Sequence, residues 1–148
     1  MGYSSIIIKI LNFAVNESAV AVHEDGAQYF LVLHMKTYHN HRAEPYFTFV
    51  KNGQKTIEGR VKKAWYRFVS VGDHIIIYNA EETDSIAVIV RGVRTYGTIR
   101  EMLIHEPLKK LLPDVDTVEQ GIRVYRRFYS EDQEKEFGVV AIEVERIK

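Results

Sequence analysis

Apolar positions along the chain fall mostly in short runs at a spacing of two, with a few stretches at helical spacing between them. Residues 5–15 are apolar except for Lys9 and Asn12 and read as a buried strand. With the polar steps Asn16-Glu17-Ser18 and His23-Glu24-Asp25-Gly26 they look like a strand pair or extension, residues 1–27, added to a compact domain of residues 28–148. Residues 28–36 are extended through Tyr29, Leu31 and Leu33. Pro45 stands where a first helical turn would place it. The spacing of Tyr46, Phe47, Phe49 and Val50 predicts a short helix ending at Asn52-Gly53, with Gly53 as its left-handed cap. Residues 55–61 return to an extended pattern, residues 69–73 form a turn, and residues 74–78 a short strand. Another strand covers residues 85–94 through Ile86, Val88, Val90 and Val93; its alternation fails near Gly92, which predicts a bulge or bend.

The next part is helical. Thr98-Ile99-Arg100-Glu101 and Thr117-Val118-Glu119-Gln120 both fit the capping box, in which the fourth residue reaches back to the cap. Val118, Ile122, Tyr125 and Tyr129 then form one buried stripe, with Arg123, Arg126 and Arg127 away from it as a basic patch. Gly121 costs a helix interior about 1 kcal/mol relative to Ala, so close packing is its natural explanation. Residues 138–147 close the chain as a strand with Val140, Ile142 and Val144 on one side. Strands dominate, short helices are inserted between them, and the last strand returns from the far end. That order predicts an α+β fold, a closed or half-closed mixed β-barrel, rather than a doubly wound sheet with its regular βα alternation.

A length of 148 residues suits one core. There is no cysteine, which excludes disulfides and thiol-based zinc sites. The 20 basic and 20 acidic side chains cancel, so any nucleic-acid role must come from local charge. Lys51, Lys55, Arg60, Lys62, Lys63 and Arg67 crowd one stretch against Glu58 alone. Glu131, Asp132, Glu134, Glu136, Glu143 and Glu145 load the other end. Two solvated faces of opposite sign would give the same pattern. Residues 5–15 are too short to span a bilayer and have no basic leader, so no membrane role and a cytoplasmic location are expected. The Asn16-Glu17-Ser18 sequon then carries no meaning.

The chain has no P-loop, no Gly-x-Gly-x-x-Gly and no nucleophile elbow. His34, His39 and His41 cluster, but a metal's ligand set cannot be completed around them, so they are expected to be surface or hydrogen-bonded histidines. No metal or cofactor is expected. The informative stretch is residues 49–60, a capped helix feeding a strand. On that strand Lys55, Ile57 and Gly59 would point one way and Thr56, Glu58 and Arg60 the other. Glu58 and Arg60 are thus same-face neighbours, placed to pair or to face a shared cleft, with Lys55 at its mouth.

Gly53-x-Lys55-Thr56-Ile57-Glu58-x-Arg60, followed by Val71-Gly72-Asp73-x-Ile75, resembles the signature of the ASCH domain family of the PUA-like superfamily. The run from Tyr96 to Leu103, then Leu112-Pro113, residues 118–130 and Gly138-Val139-Val140-Ala141-Ile142, resembles the longer helical form of these domains. The resemblance covers residues 33–146 and implies a PUA-like mixed β-barrel with a cleft beside the lysine segment, recognising RNA, a nucleoside or a nucleobase. Some small members are amidohydrolases that remove acetyl from N4-acetylcytidine with the motif lysine, a threonine three positions later and a distant glutamate. Lys55 matches that lysine, whereas Glu58 stands at the threonine position. The distant glutamate would be Glu101, Glu106 or Glu119.

Two uses of these residues follow. As a binding module for RNA or a nucleoside-type small molecule, the domain would contact its ligand through Lys55, Glu58, Arg60, Lys62, Lys63 and Arg67, with Trp65, Tyr66 and Tyr96 as stacking surfaces. Trp65 serves equally as a half-buried anchor under the barrel. As a metal-independent hydrolase, the domain would use Lys55 and Glu58 in catalysis, with burial lowering the pKa of Lys55 and Glu58 opposing that shift. Composition and pattern leave the oligomeric state open.

Overall fold

The computed structural model describes residues 7–13, 17–24 and 27–148, with side chains described from residue 35 onward. The chain divides into two compact units, Met1–Thr37 and Tyr38–Lys148. In the first, β1 (Ile7–Phe13), β2 (Glu17–Glu24) and β3 (Ala27–His34) form a three-stranded antiparallel meander. Ile10 faces Val20 across the first pair, and Val20 faces Leu31 across the second. The strand expected at residues 28–36 is therefore present, but it pairs with β2 in this meander. The division between these compact units falls after Thr37. Asn16, Asp25 and Gly26 lie outside the described residues, as does the burial expected of residues 5–15.

The second unit is built on a five-stranded sheet. Its strands are β4 (Thr37–Arg42), β5 (Ile57–Val61), β6 (His74–Asn79), β7 (Ser85–Tyr96) and β8 (Val139–Arg146). They lie in the order β4-β6-β7-β8-β5, a curled half-barrel with β4 and β5 at its two edges. Helix α1 (Tyr46–Lys51) follows β4 and buries Phe47 and Val50. It ends as expected at Asn52-Gly53, where Gly53 takes a φ of 80° that favours glycine. Pro45, expected inside the first turn, is instead the residue before it, after a cis peptide bond with Glu44. A 3-10 turn (Ala64–Arg67) joins β5 to β6. Between β7 and β8 come α2 (Ile99–His105), α3 (Leu108–Leu111), α4 (Val118–Arg126) and α5 (Glu131–Phe137).

Strand β8 shows why the sequence folds this way. Val140, Ile142 and Val144 face the barrel interior, with Ile75, Ile77, Ile86, Val88, Val90 and the α1 residues Phe47 and Val50. Val139 and Ala141 face a second core made with Ile99, Met102, Leu103, Leu111, Leu112 and Tyr125 of the helices. A strand apolar on both faces must be covered on both, and the helices cover what the barrel does not.

The expected irregularity at Gly92 is a register shift between Val90 and Gly92. Before it, Val88 and Val90 face the barrel interior; after it, Arg94 and Tyr96 stand opposite Ala141 and Val139, on the helix side. One extra residue has reversed the parity of the strand. Gly121 packs as its position suggested: a Cβ there would lie 3.0 Å from Leu103.

A cationic, aromatic-walled candidate ligand pocket

The register of β5 sets the site. Glu58 and Arg60 stand opposite Ile142 and Val140 and so point to the barrel side, while Ile57 and Gly59 face the helices. Lys55 precedes the strand, and its side chain is not held to the Ile57 face that simple alternation assigns it. Its ammonium donates to the carbonyl of Ile57 (2.7 Å) and that of Leu111 (2.5 Å) and stands 4.0 Å from Glu58 Oε2. The same Oε2 accepts from Arg42 (2.9 Å) and pairs with Arg60 (3.1 Å). Arg60 also donates to the Tyr66 hydroxyl (3.1 Å) and to the Gly59 carbonyl (2.7 Å). Three cations thus surround one carboxylate. Lys55 and Glu58 are each only 4% exposed in their side chains, and Arg42 and Arg60 13% and 12%.

Burial shapes the titration of this group. It pushes the Lys55 ammonium below the usual lysine range, against the pull of Glu58 and Asp114. It pushes the Glu58 carboxyl up, against the pull of Lys55. Oε1 of Glu58 and Nε of Arg42 have no hydrogen-bond partner among the described residues.

Above the charges lies a cavity of about 300 Å³, between the end of β4, strand β5 and the C-terminal half of α4. Its cations are Arg42, Lys55 and Arg60, and its rings are Tyr46, Tyr66, Tyr125, Phe128, Tyr129 and the imidazole of His41. Burial and Asp114, which accepts from the Tyr46 hydroxyl, push Tyr46 up to about 12. Burial likewise raises Tyr125 and Tyr129, so all three remain neutral phenols at ordinary pH. The Tyr125 ring reaches the pocket because residue 59 is glycine: a Cβ there would lie 2.2 Å from the Tyr125 hydroxyl.

Of the expected site residues, Lys55, Arg60 and Tyr66 line the pocket, and Glu58 sits beneath it tying the cations together. The others are elsewhere. Trp65 is half-buried, stacked on Tyr38 at 4.5 Å and packed against the barrel core, which makes it the anchor. Lys63 lies 5.8 Å over the Tyr129 ring, Lys62 is partly exposed, and Arg67 covers Phe68 in solvent. Tyr96 donates to Glu106 (2.7 Å), which also holds Arg94, on the helix side to which the bulge turns it. Glu101 accepts from the Gly97 N–H, and Glu119 pairs with Arg100; neither they nor Glu106 line the pocket. His39 and His41 stack on Tyr78; His41 also lines the pocket and bonds Glu82 at 2.5 Å, and the side chain of His34 lies outside those described.

Sequence reasoning missed Arg42, Tyr46 and the pocket role of Tyr125, Phe128 and Tyr129. Tyr125 and Tyr129 read as core because their helical stripe is apolar, and Arg42 lies in residues 37–44, to which the pattern assigns no element. No local signal marks Arg42, because Glu58 already has Lys55 and Arg60 in its own segment and the further arginine comes from another strand.

No curated protein matches the chain significantly. Among solved structures, the crystal structure of the hypothetical protein PH0355 is 40% identical, covering 75% of this chain and 99% of that one, with a TM-score of 0.69. The solution NMR structure of protein PF0455 from Pyrococcus furiosus is 38% identical, covering 76% of this chain and 98% of that one, with a TM-score of 0.62. The family model for the ASCH domain matches residues 41–148, which include α1, the whole β5 segment and α4. With the curled half-barrel and its inserted helices, the match makes this chain a member of the ASCH domain family, with a PUA-like fold.

Proposed function

We propose that the pocket binds one nucleotide unit of an RNA, or a free nucleoside or nucleotide, and that the protein is a cytoplasmic binding module. The observation that carries this is the excess of cations over anions beneath aromatic walls: Arg42, Lys55 and Arg60 against Glu58, under Tyr46, Tyr66, Tyr125 and Tyr129. Rings stack on the faces of a base, and guanidinium and ammonium groups take up phosphate or base carbonyls. A volume of about 300 Å³ is at the lower end for small-molecule sites, the scale of a single nucleoside.

A second reading has its own support. A neutral amine has two N–H bonds, and Lys55 already has two carbonyl acceptors, so it can lose a proton without losing either bond. Such an amine could take a proton from water as that water attacks the acetyl carbonyl of N4-acetylcytidine. It would return the proton to the departing N4, giving cytidine and acetate. Glu58, where related amidohydrolases have threonine, is held by two arginines and suits a positioning role better than a proton relay.

The two uses of Lys55 have opposite pH dependence. Binding an anion needs the ammonium, so affinity falls as pH rises through the lowered pKa of Lys55, earlier than its ordinary 10.5. Base catalysis needs the amine, so turnover rises over the same interval. Calorimetric titration with the four nucleoside monophosphates, and a time course with N4-acetylcytidine read by mass spectrometry, test this. The binding module predicts affinity without turnover, weakened at least tenfold by Lys55→Ala, about 1.4 kcal/mol. Turnover abolished in that variant would establish the hydrolase. Neither binding nor turnover would overturn both.

A further inference from the structure

The pocket does not end at its own rim. A groove of about 490 Å³ adjoins it, and the two share Ala43, Tyr46, Val124 and Phe128 as lining residues. One face of α4 and the residues just after it, Gln120, Arg123, Val124, Arg127 and Phe128, forms a wall of this groove, at the spacing that aligns side chains on a helix. Phe128 is 67% exposed and lines both cavities.

Counted formally, the groove is mixed in sign, with Arg123 and Arg127 against Glu44, Asp114 and Asp116. The acids, however, all have hydrogen-bond partners within the protein, although only Asp116 is paired with a cation. Glu44 accepts from the backbone and hydroxyl of Thr48, Asp114 accepts from Tyr46, and Asp116 pairs with Lys109 at 2.6 Å. Arg123 and Arg127 are exposed and form no ion pair with any described residue. The groove therefore presents two exposed guanidiniums, Arg127 and an Arg123 that also lies in the field of Glu119, and a bare ring next to a pocket sized for one nucleoside.

Resting on the reading of that pocket given above, we propose that the groove is a second subsite, seating the neighbouring nucleotide of a single-stranded RNA. Phe128 stacks on the flanking base, and Arg123 and Arg127 hold the phosphate that links it to the nucleotide in the pocket. The ligand is then a strand of at least two nucleotides rather than a free nucleoside.

The test compares a fluorescently labelled RNA hexamer of randomised sequence with the four nucleoside monophosphates, on the full chain. The hexamer should bind at least tenfold more tightly than any monophosphate. Phe128→Ala should weaken the hexamer about five- to 150-fold, the range found for single stacked bases, and by more than it weakens any monophosphate, whose pocket the same ring also lines. The double change Arg123→Gln with Arg127→Gln should do the same and flatten the salt dependence by about 0.7 for each phosphate no longer neutralised. A hexamer that binds no more tightly than a monophosphate, or variants that weaken both alike, would overturn the subsite and leave the pocket standing. Binding of neither probe would overturn the subsite together with the pocket.

Discussion

Glu58 is the residue on which the site turns, and its role is set by what it touches. One oxygen serves both Arg42 and Arg60, with Lys55 4.0 Å away, and the whole group is nearly sealed from water. Removing the carboxylate would leave buried cations facing one another, which typically costs about 3–5 kcal/mol. Glu58→Ala is therefore expected to lower the unfolding free energy by about that amount in urea titrations. Lys55→Ala, which removes a cation that burial already disfavours, should cost distinctly less. Comparable losses from the two would assign Lys55 a structural role. At this scale the sequence made the lysine, the glutamate and the second arginine visible, because they share a short segment and strand alternation brings two of them to one face. Arg42 was hidden because its proximity to Glu58 depends on how the sheet curls, which no local pattern encodes. Tyr96 was misplaced for a related reason: an extra residue near Gly92 turns it to the helix side.

Strand β5 and helix α4 meet at a single atom-sized gap, residue 59. A methyl group there would come within 2.2 Å of the Tyr125 hydroxyl and 2.7 Å of Met102. Overpacking of this kind costs about 1–3 kcal/mol, and here it would also push the Tyr125 ring into or out of the pocket. Gly59→Ala should therefore lower both the thermal midpoint and ligand affinity. Adding Tyr125→Phe, which deletes the clashing oxygen, should recover part of the stability; strict additivity of the two changes would show that they do not meet. Elements with strong local signals were legible: α1 with its Gly53 cap, and α4 with Thr117 and Gln120 in a full capping box. The Thr98 box is only half formed, since Glu101 bonds the Gly97 N–H instead of that of Thr98. Helix α5 was read only as an acidic stretch. Its residues Glu131 to Glu136 are all polar, and what fixes it is the Ser130–Gln133 box and a buried Glu134, which accepts from the Ile99 N–H and pairs with Arg126.

At the scale of the molecule, the second unit holds both cores described above and every residue of the pocket and groove. PH0355 aligns over 99% of its solved chain with three-quarters of this chain. A fragment of residues 38–148 is accordingly expected to unfold in one cooperative transition and to bind the same monophosphates; loss of a folded fragment would make the first unit part of the core. No helix among the described residues is long and apolar enough to cross a membrane. The two edge strands of the half-barrel, β4 and β5, are not neighbours in its hydrogen-bonded ladder. Among the described residues, the hydrogen bond from Arg42 to Glu58 spans them. A backbone ladder is indifferent to anions nearby, but a bridge of charges is not. The half-barrel therefore carries an electrical latch in its wall, and any guest resting on Arg42 and Arg60 also changes how firmly that wall is shut.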